Sequence, residues 1–406
     1  MVVTIVAATQ AYSKAQLNGF LDSINDVHYN EQNASRRLMC LEGVVLVVPL
    51  LRTLYRPQPV IPKDDQFYRE CLRDIAQHGL WGQVYQLLVG SGQLENVPSF
   101  FRQQITEKHQ QVLTQNLFLR IHQERILRLF DSHALDVIPL KGPWFAERYF
   151  GEIGARSSSD IDLVVRKEHL SKAIAHLRAL GFHGPADYNP IHFHCIMYRF
   201  LEESNIPLNV ELHWGVVIER TATQDVSQLW DTASVRRGYT HVKELSVQQT
   251  FYSICLHGSN HKMDSLKYVL DVTQLIYRNG DELDYKKLAE QASADKTYRR
   301  VFMVLERAYS MFPGLDEQKP LSLYGTSRLS NLSKRWHSPL LVLDDWHLRS
   351  SYLRNRIWPG KDVALWYIRH DTKSTVRNVY FAFYRYRLRH FIQRLTGRHA
   401  DQGNRY

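Results

Sequence analysis

Apolar residues recur at every third or fourth position over much of the N-terminal third of the chain, the spacing of one face of an α-helix. The clearest case lies within residues 101–130, where the apolar positions include Ile105, Val112, Leu117, Ile121, Ile126 and Leu129. The stretch RPQPVIPKDDQ at residues 56–66 breaks the pattern, because its prolines disfavour a regular element. We therefore expect residues 1–134 to be mostly helical.

Short apolar runs typical of strands replace this pattern near Leu135. Residues 137–140 and 160–165 are strand candidates. Between them, Gly142-Pro143 suits a helix start and predicts a helix through residue 150, followed by a polar loop. Residues 168–180 predict a helix that ends at Gly181.

Two further segments complete the region of predicted strands. Residues 191–200 look extended, and residues 208–214 alternate cleanly between apolar and polar side chains. One face of this second segment carries Leu208, Val210, Leu212 and Trp214, and the other carries Asn209, Glu211 and His213. Helical spacing returns near Val247 and lasts to the end of the chain, with a loop-rich stretch expected in the 320s to 340s.

Composition and charge narrow the class of protein. The chain has 406 residues, of which 44% are hydrophobic and 23% are charged, as in ordinary globular proteins. Its formal net charge of +10 favours phosphate-bearing or polyanionic partners without identifying one. The four cysteines form no CxxC pair, which fits a reducing compartment. The most apolar run, residues 44–51, contains a proline and is too short for a membrane span, and the N-terminus lacks the basic segment of a signal peptide, so we expect a cytoplasmic protein.

The tripeptide Asp160-Ile161-Asp162 carries the strongest chemical signal. In a strand, residues two apart face the same side, so both carboxylates project together and repel each other. A hard divalent ion such as Mg²⁺, or Mn²⁺, between them relieves that repulsion. Glu211 lies on the polar face of a later strand and is the best candidate for a third metal ligand. The sequence therefore predicts a metal site at Asp160, Asp162 and Glu211, where the same acids are catalytic.

A phosphate-binding element is predicted next to these acids. A helix that starts just after Gly142 exposes backbone N–H groups that suit phosphate, and Lys141 adds a positive charge. The loop Arg156-Ser157-Ser158-Ser159 supplies further donors before the acids. We predict that Lys141, Gly142, Ser158 and Ser159 bind phosphate beside the metal site.

Four ordered motifs resemble the uncharacterised nucleotidyltransferase family of bacteria, within the polymerase-β-like nucleotidyltransferase superfamily. They are LKG at residues 140–142, GARSSSDIDLVV at 154–165, VELHW at 210–214 and LHGSNHKMDSLKYVLDV at 256–272. The similarity runs from about residue 70 to about residue 395 and includes the later segment SYLRNRIWP.

The resemblance implies an α+β fold, in which a small mixed sheet forms a nucleotidyltransferase core flanked by N-terminal and C-terminal helical regions. The corresponding domains are residues 1–134, a catalytic domain at 135–246, and a C-terminal helical domain with a basic aromatic tail at 247–406. It also implies Mg²⁺ on Asp160 and Asp162 with Glu211 in the third-acid position, and a nucleoside triphosphate against Lys141-Gly142. ATP is favoured as the donor only because it is abundant. The resemblance supplies no acceptor, and we rank a small molecule or a peptide above nucleic acid because the sequence shows no separate nucleic-acid-binding module.

Several histidines have more than one interpretation. His192 and His194 share a strand face, but no second ligand pair stands at zinc spacing, so an acceptor-binding or a structural role is favoured. His213 follows Glu211 on the same face and is a candidate for contact with phosphate or with the third acid. We expect the acceptor between these histidines and the helix that carries His257 and His261.

Two regions outside the predicted site also have competing interpretations. Asp271 is expected to pair with Lys267, one helical turn earlier. The C-terminal tail interleaves aromatic and basic residues, which suits nucleic-acid or membrane-surface contact, although packing of a terminal helix is favoured. A catalytically silent nucleotide- or RNA-binding adaptor is the alternative function, and nucleic acid as a substrate is possible but not favoured.

Overall fold

The structure is a computed structural model, and it describes residues 45–184, 192–200, 207–321, 340, 342–368 and 376–395. The expected helices in residues 1–44, most of the expected loop in the 320s to 340s, and Arg398 of the basic tail lie outside these ranges. No helix within the described ranges is both long and apolar enough to cross a membrane.

The N-terminal region consists of helices, as its apolar spacing predicts. Their bounds are α1 Val47–Leu54, α2 Asp65–His78, α3 Trp81–Gly90 and α4 Ser99–Ser132. The Asp64 side chain caps α2 by accepting a hydrogen bond from the Gln66 backbone N–H, and Gly79 ends it with a φ of 66°. The long helix α4 confirms the prediction for residues 101–130 and extends it by about a residue or two at each end.

A mixed sheet of four strands lies at the centre of the chain, which confirms the α+β class. Its strands are β1 Val137–Pro139, β2 Asp160–Val165, β3 His194–Phe200 and β4 Pro207–His213. The spatial order is β1-β2-β4-β3. Strand β2 pairs antiparallel with β1 and parallel with β4, and β3 pairs antiparallel with β4.

The connection from β1 to β2 differs from the single helix predicted over residues 144–150. A short helix, α5 Pro143–Phe145, continues as a π-helical turn at Ala146–Phe150 and then a 3₁₀ turn at Ile153–Ala155. Gly151, with a φ of 91°, ends the π turn. After β2, a 3₁₀ turn leads into α6 Leu170–Ala179, close to the predicted helix at 168–180.

Short elements link the sheet to a second group of helices. Helix α7 Ser227–Asp231 precedes a two-stranded sheet of β5 Ser234–Val235 and β6 Lys243–Glu244. The helices that follow are α8 Val247–Asn260, α9 Leu266–Asn279, α10 Tyr285–Ala294, α11 Tyr298–Met311, α12 Leu315–Gln318, α13 Trp346–Ile357, α14 Lys361–Ile368 and α15 Val376–Leu395.

The two faces of the sheet belong to two different hydrophobic cores. Ile161, Leu163 and Val165 point into a core that they share with the C-terminal half of α4 and with α6. Val164, on the opposite face, joins a larger core formed by α1 to α3, the start of α4, and α8 to α12. Because Asp162 lies two residues before Val164 in β2, its side chain lies on the sheet face covered by this larger core, which includes α8 and α9.

Candidate metal and nucleotide site

The register between two parallel strands brings the predicted acids together. Asp162 in β2 lies opposite Glu211 in β4, and Asp160 lies opposite Asn209. One carboxylate oxygen from each of Asp160, Asp162 and Glu211 falls within 4.8 Å of the others, a spacing that could hold a metal ion. Oxygen ligands of this kind suit Mg²⁺. Asp160 and Glu211 are partly exposed, whereas Asp162 is only 1% exposed.

The loop before Asp160 is fixed by buried polar side chains of α4. Gln115 Nε2 donates to the backbone carbonyl of Ser158 at 2.6 Å, and Asn116 Nδ2 donates to that of Arg156 at 2.7 Å. These bonds satisfy carbonyl groups that would otherwise be buried without partners. They hold the loop, and with it the start of β2, against α4.

Arg156 in the same loop binds helix α9. Its Nε and Nη2 donate to the two carboxylate oxygens of Asp271 at 2.7 and 2.8 Å, and both side chains are almost fully buried. The prediction that Asp271 pairs with Lys267 is therefore wrong, since a bidentate partner from a distant segment satisfies this buried carboxylate. The pair joins the loop that precedes the acidic strand to the C-terminal helices.

Lys141 lies between the acids and helix α8. Its Nζ is 3.0 Å from Oδ1 of Asp162, and it donates a hydrogen bond of 3.3 Å to Nδ1 of His257. Burial acts to lower the pKa of Lys141, but the carboxylates of Asp162, Asp160 and Glu211 outweigh it and raise that pKa. Burial, together with the nearby Lys141 ammonium, holds the pKa of His257 well below its usual value. His257 is therefore neutral, and its Nδ1 can accept the bond.

His213 bridges two of the acids. Its Nε2 is 3.0 Å from Oδ1 of Asp162 and 3.3 Å from Oε2 of Glu211. Burial opposes the charged imidazolium, yet hydrogen bonds to these carboxylates raise the pKa of His213 to about 9. The pKa of Asp162 is correspondingly held well below its ordinary value by Lys141 and His213, against the effect of burial. Of the two contacts predicted for His213, the one with the third acid is present.

A second group of potential metal ligands adjoins the first. His194 in β3 lies opposite His213 in β4, and His194, Glu211 and His213 each offer a ligand atom within 4.8 Å of the others. Burial lowers the pKa of His194 to about 4, so its imidazole is neutral at pH 7. Residue spacing could not reveal this group, because it forms across two antiparallel strands. His192 lies beside His194, with ring centroids 4.9 Å apart.

The predicted phosphate-binding residues line the approach to β2. Gly142 has a φ of 83°, a conformation that side chains other than glycine rarely adopt. A Cβ built on Gly142 would lie 3.8 Å from the backbone carbonyl oxygen of Asp160, so residue 142 is next to the first acid. Ser158 is buried, whereas Ser159 is partly exposed. Lys141 is oriented toward Asp162, and its contact with a phosphate stays a prediction.

His257 and Arg156 are the residues whose contacts the sequence did not foresee. His257 is expected on the helix opposite the acceptor, and in the structure it contacts Lys141. Arg156 belongs to the loop that is expected to supply donors before the acids, but its guanidinium binds Asp271. The available signal was the position of Asp271, since a carboxylate in the apolar run LKYVLDVTQLI of α9 needs a buried basic partner.

Comparison with known protein families gives one match. The model of a family described as uncharacterised nucleotidyltransferase matches residues 66–313, which is more than half of the chain. The matched segment includes the whole four-stranded sheet, Lys141, the three acids and helices α8 and α9. No curated protein and no solved structure shows a significant match.

Proposed function

The chain belongs to the uncharacterised nucleotidyltransferase family, and from this premise we propose that it transfers a nucleoside monophosphate from a nucleoside triphosphate, with ATP favoured, to a small-molecule or peptide acceptor. Pyrophosphate is the second product. The observation that carries the proposal is the convergence of Asp160, Asp162 and Glu211 within 4.8 Å on neighbouring strands. Such chemistry depends on positioning and charge neutralisation, which a cluster of acids and backbone donors can supply.

Asp160, Asp162 and Glu211 would hold Mg²⁺ or Mn²⁺. When bound, the ion supplies charge neutralisation for the triphosphate and for the oxygen that attacks it. We place the phosphates against Lys141, Gly142 and the loop that carries Ser158 and Ser159. The buried contact of Asp162 with Lys141 and His213 keeps this carboxylate ionised, which is the state that a metal requires.

We place the acceptor next to His192, His194 and His213. His192 and His194 are better suited than His213 to hydrogen bonding with an acceptor hydroxyl, because burial lowers the pKa of both imidazoles, which keeps them neutral at pH 7, and both are partly exposed. Lys141 contacts His257 of α8, so the C-terminal helices lie against the same site. We accordingly propose that residues 135–246 carry the chemistry and that residues from 247 onward form the opposite wall.

The experiment is incubation of the protein with each of the four α-³²P-labelled ribonucleoside triphosphates, Mg²⁺ and a cell extract as the source of acceptors. We expect a labelled product that requires Mg²⁺ and is lost in the Asp160→Asn variant. Absence of product with every nucleotide, together with nucleotide binding that is indifferent to Mg²⁺, would instead support a silent binding or adaptor protein. A labelled product sensitive to ribonuclease would identify RNA as the acceptor.

A further inference from the structure

The positive charge of the chain is concentrated at its C-terminal end. Residues 346–398 contain ten arginines, two lysines and two aspartates, a net charge of +10, which equals the net charge of the whole chain. All other residues together carry 39 basic and 39 acidic side chains and are balanced. The charged segment lies beyond residue 313, where the family match ends. Its charge therefore needs an explanation separate from nucleotide binding.

Helices α14 and α15 within this segment form a small hydrophobic core of their own. Ala364 and Leu365 of α14 pack against Val379 and Phe383 of α15, and this cluster is separate from the two larger cores. The helices thus use one face of α15 for packing. Phe381 and Leu388, seven residues apart on another face of α15, are each at least 60% exposed.

The end of α13 continues this exposed face. Tyr384 donates a hydrogen bond from its hydroxyl to the backbone carbonyl of Ile357, and its ring lies 6.1 Å from that of Trp358. Tyr384 is also one helical turn from both Phe381 and Leu388. Ile357 and Trp358 are each more than 60% exposed, so four large apolar side chains surround Tyr384.

Exposed arginines border these apolar side chains. Arg385 and Arg389 lie on α15 beside Phe381 and Leu388, and Arg354 and Arg356 precede Ile357 in α13. The exposed residues of this arginine–aromatic surface are Arg354, Arg356, Ile357, Trp358, Phe381, Arg385, Leu388 and Arg389. Exposed apolar side chains next to exposed basic groups match an anionic bilayer, which offers both an acyl layer and negative headgroups.

We propose that the arginine–aromatic surface binds the headgroup region of an anionic lipid bilayer. Ile357 and Leu388 favour a membrane over a nucleic acid, because nucleic acids reward aromatic stacking and basic side chains but offer little to exposed aliphatic ones. Tryptophan, like Trp358 here, is enriched at the interface between headgroups and acyl chains.

The test is flotation of the full-length protein with vesicles of phosphatidylcholine, with or without phosphatidylglycerol. We expect binding only when phosphatidylglycerol is present and a marked loss at high salt. The double variant Arg385→Gln, Arg389→Gln should weaken binding by roughly tenfold or more, since each basic residue near an anionic surface contributes on the order of fivefold. The double variant Phe381→Ser, Leu388→Ser should also weaken it.

Matched controls lie elsewhere on the surface. Val60→Ser and Arg73→Gln remove an exposed apolar and an exposed basic side chain far from this segment in sequence, and they should leave binding unchanged. The proposal is overturned if the wild type fails to float with anionic vesicles at low salt, or if the controls weaken binding as much as the four target changes. It is also overturned if single-stranded RNA binds the protein more tightly than the vesicles do, and if the Phe381→Ser, Leu388→Ser variant binds both RNA and vesicles as tightly as the wild type.

Discussion

Arg156 and Asp271 form a bidentate ion pair with N–O distances of 2.7 and 2.8 Å, although they are 115 residues apart in the chain. Both side chains are almost fully removed from solvent. Arg156 belongs to the loop that leads into the strand of the paired aspartates, and Asp271 belongs to α9. The ion pair therefore joins the loop that precedes the acidic strand to α9. Removing either side chain would leave the charge of the other buried without a partner.

The first prediction concerns this pair. Arg156→Met leaves the Asp271 carboxylate buried without its partner, and we expect it to lower the free energy of unfolding by about 3–5 kcal/mol in chemical denaturation. The double variant Arg156→Met, Asp271→Leu should recover most of that loss, because it removes both buried charges together. An exposed pair of equal length, Lys167 with Glu219 at 2.7 Å, is the control, and Lys167→Met should cost less than about 1 kcal/mol. Equal losses at the two pairs would contradict this account.

The second prediction concerns competition between Lys141 and a metal ion. The Lys141 ammonium lies 3.0 Å from Asp162 Oδ1, and a divalent ion on the same carboxylate would be repelled by it. Lys141→Gln should therefore raise the affinity for Mn²⁺ in the absence of nucleotide by about tenfold or more, as measured by titration calorimetry. Lys172→Gln, an exposed change on α6, should leave it unchanged. Weaker Mn²⁺ binding by Lys141→Gln would show that Lys141 does not compete.

The third prediction separates the two aspartates of the DxD motif. Asp162 is 1% exposed and contacts both Lys141 and His213, so Asp162→Asn should lower the unfolding free energy by about 3 kcal/mol because it leaves those two cations poorly compensated. Asp160 is partly exposed and lies in a cluster of like charges, so Asp160→Asn should change it by less than about 1 kcal/mol. Thermal unfolding followed by circular dichroism gives the comparison. A larger loss for Asp160→Asn would assign that residue a structural role.

The fourth prediction is a pH dependence of stability that involves His109. This residue of α4 is buried, its Nε2 lies 3.1 Å from Oε1 of Glu152, and its Nδ1 has no hydrogen-bond partner among the described residues. Burial lowers the pKa of His109 to about 4. Below pH 6.5 the unfolded chain therefore takes up a proton that the folded protein does not, so stability falls as pH decreases. Between pH 7 and pH 5 this one histidine should account for a loss of about 2 kcal/mol.

Substitution distinguishes His109 from the other histidines. His109→Gln should flatten the pH dependence of the unfolding free energy over this interval, whereas His133→Gln, an exposed change at the end of α4, should not. Burial also lowers the pKa of His257, so this residue too lowers the unfolding free energy as pH falls. Part of the pH dependence should therefore remain in both variants. A pH profile of His109→Gln that matches the wild type would contradict the assignment.

Local patterns were sufficient to predict the elements of the site. The spacing in Asp160-Ile161-Asp162 predicted one strand, and alternation over residues 208–214 predicted the strand that carries Glu211. The parallel pairing that sets Asp162 opposite Glu211 agrees with both. Helix α4 was predicted from its apolar positions to within about two residues at each end. The two strands and the helix depend on interactions within a few residues, so local patterns are enough to predict them, whereas the pairing of β2 with β4 joins distant segments.

Contacts between distant segments could not be predicted in the same way. The rule for residues one helical turn apart paired Asp271 with Lys267, but a buried carboxylate is better satisfied by the two-pronged guanidinium of Arg156. The contact of Lys141 with His257 spans 116 residues and depends on how α8 packs against the sheet. The π turn at Ala146–Phe150 has no distinct local signature and replaced the predicted α-helix.

We propose that Asp160, Asp162 and Glu211 hold the divalent ion that binds the triphosphate. The most direct test is a crystal structure with Mn²⁺ and a non-hydrolysable ATP analogue, in which anomalous scattering locates the metal. We predict an anomalous peak within coordination distance of carboxylate oxygens of Asp160, Asp162 and Glu211, with the triphosphate completing the coordination. A peak coordinated instead by His194 and His213, or no peak near β2 while the nucleotide is bound, would contradict the account.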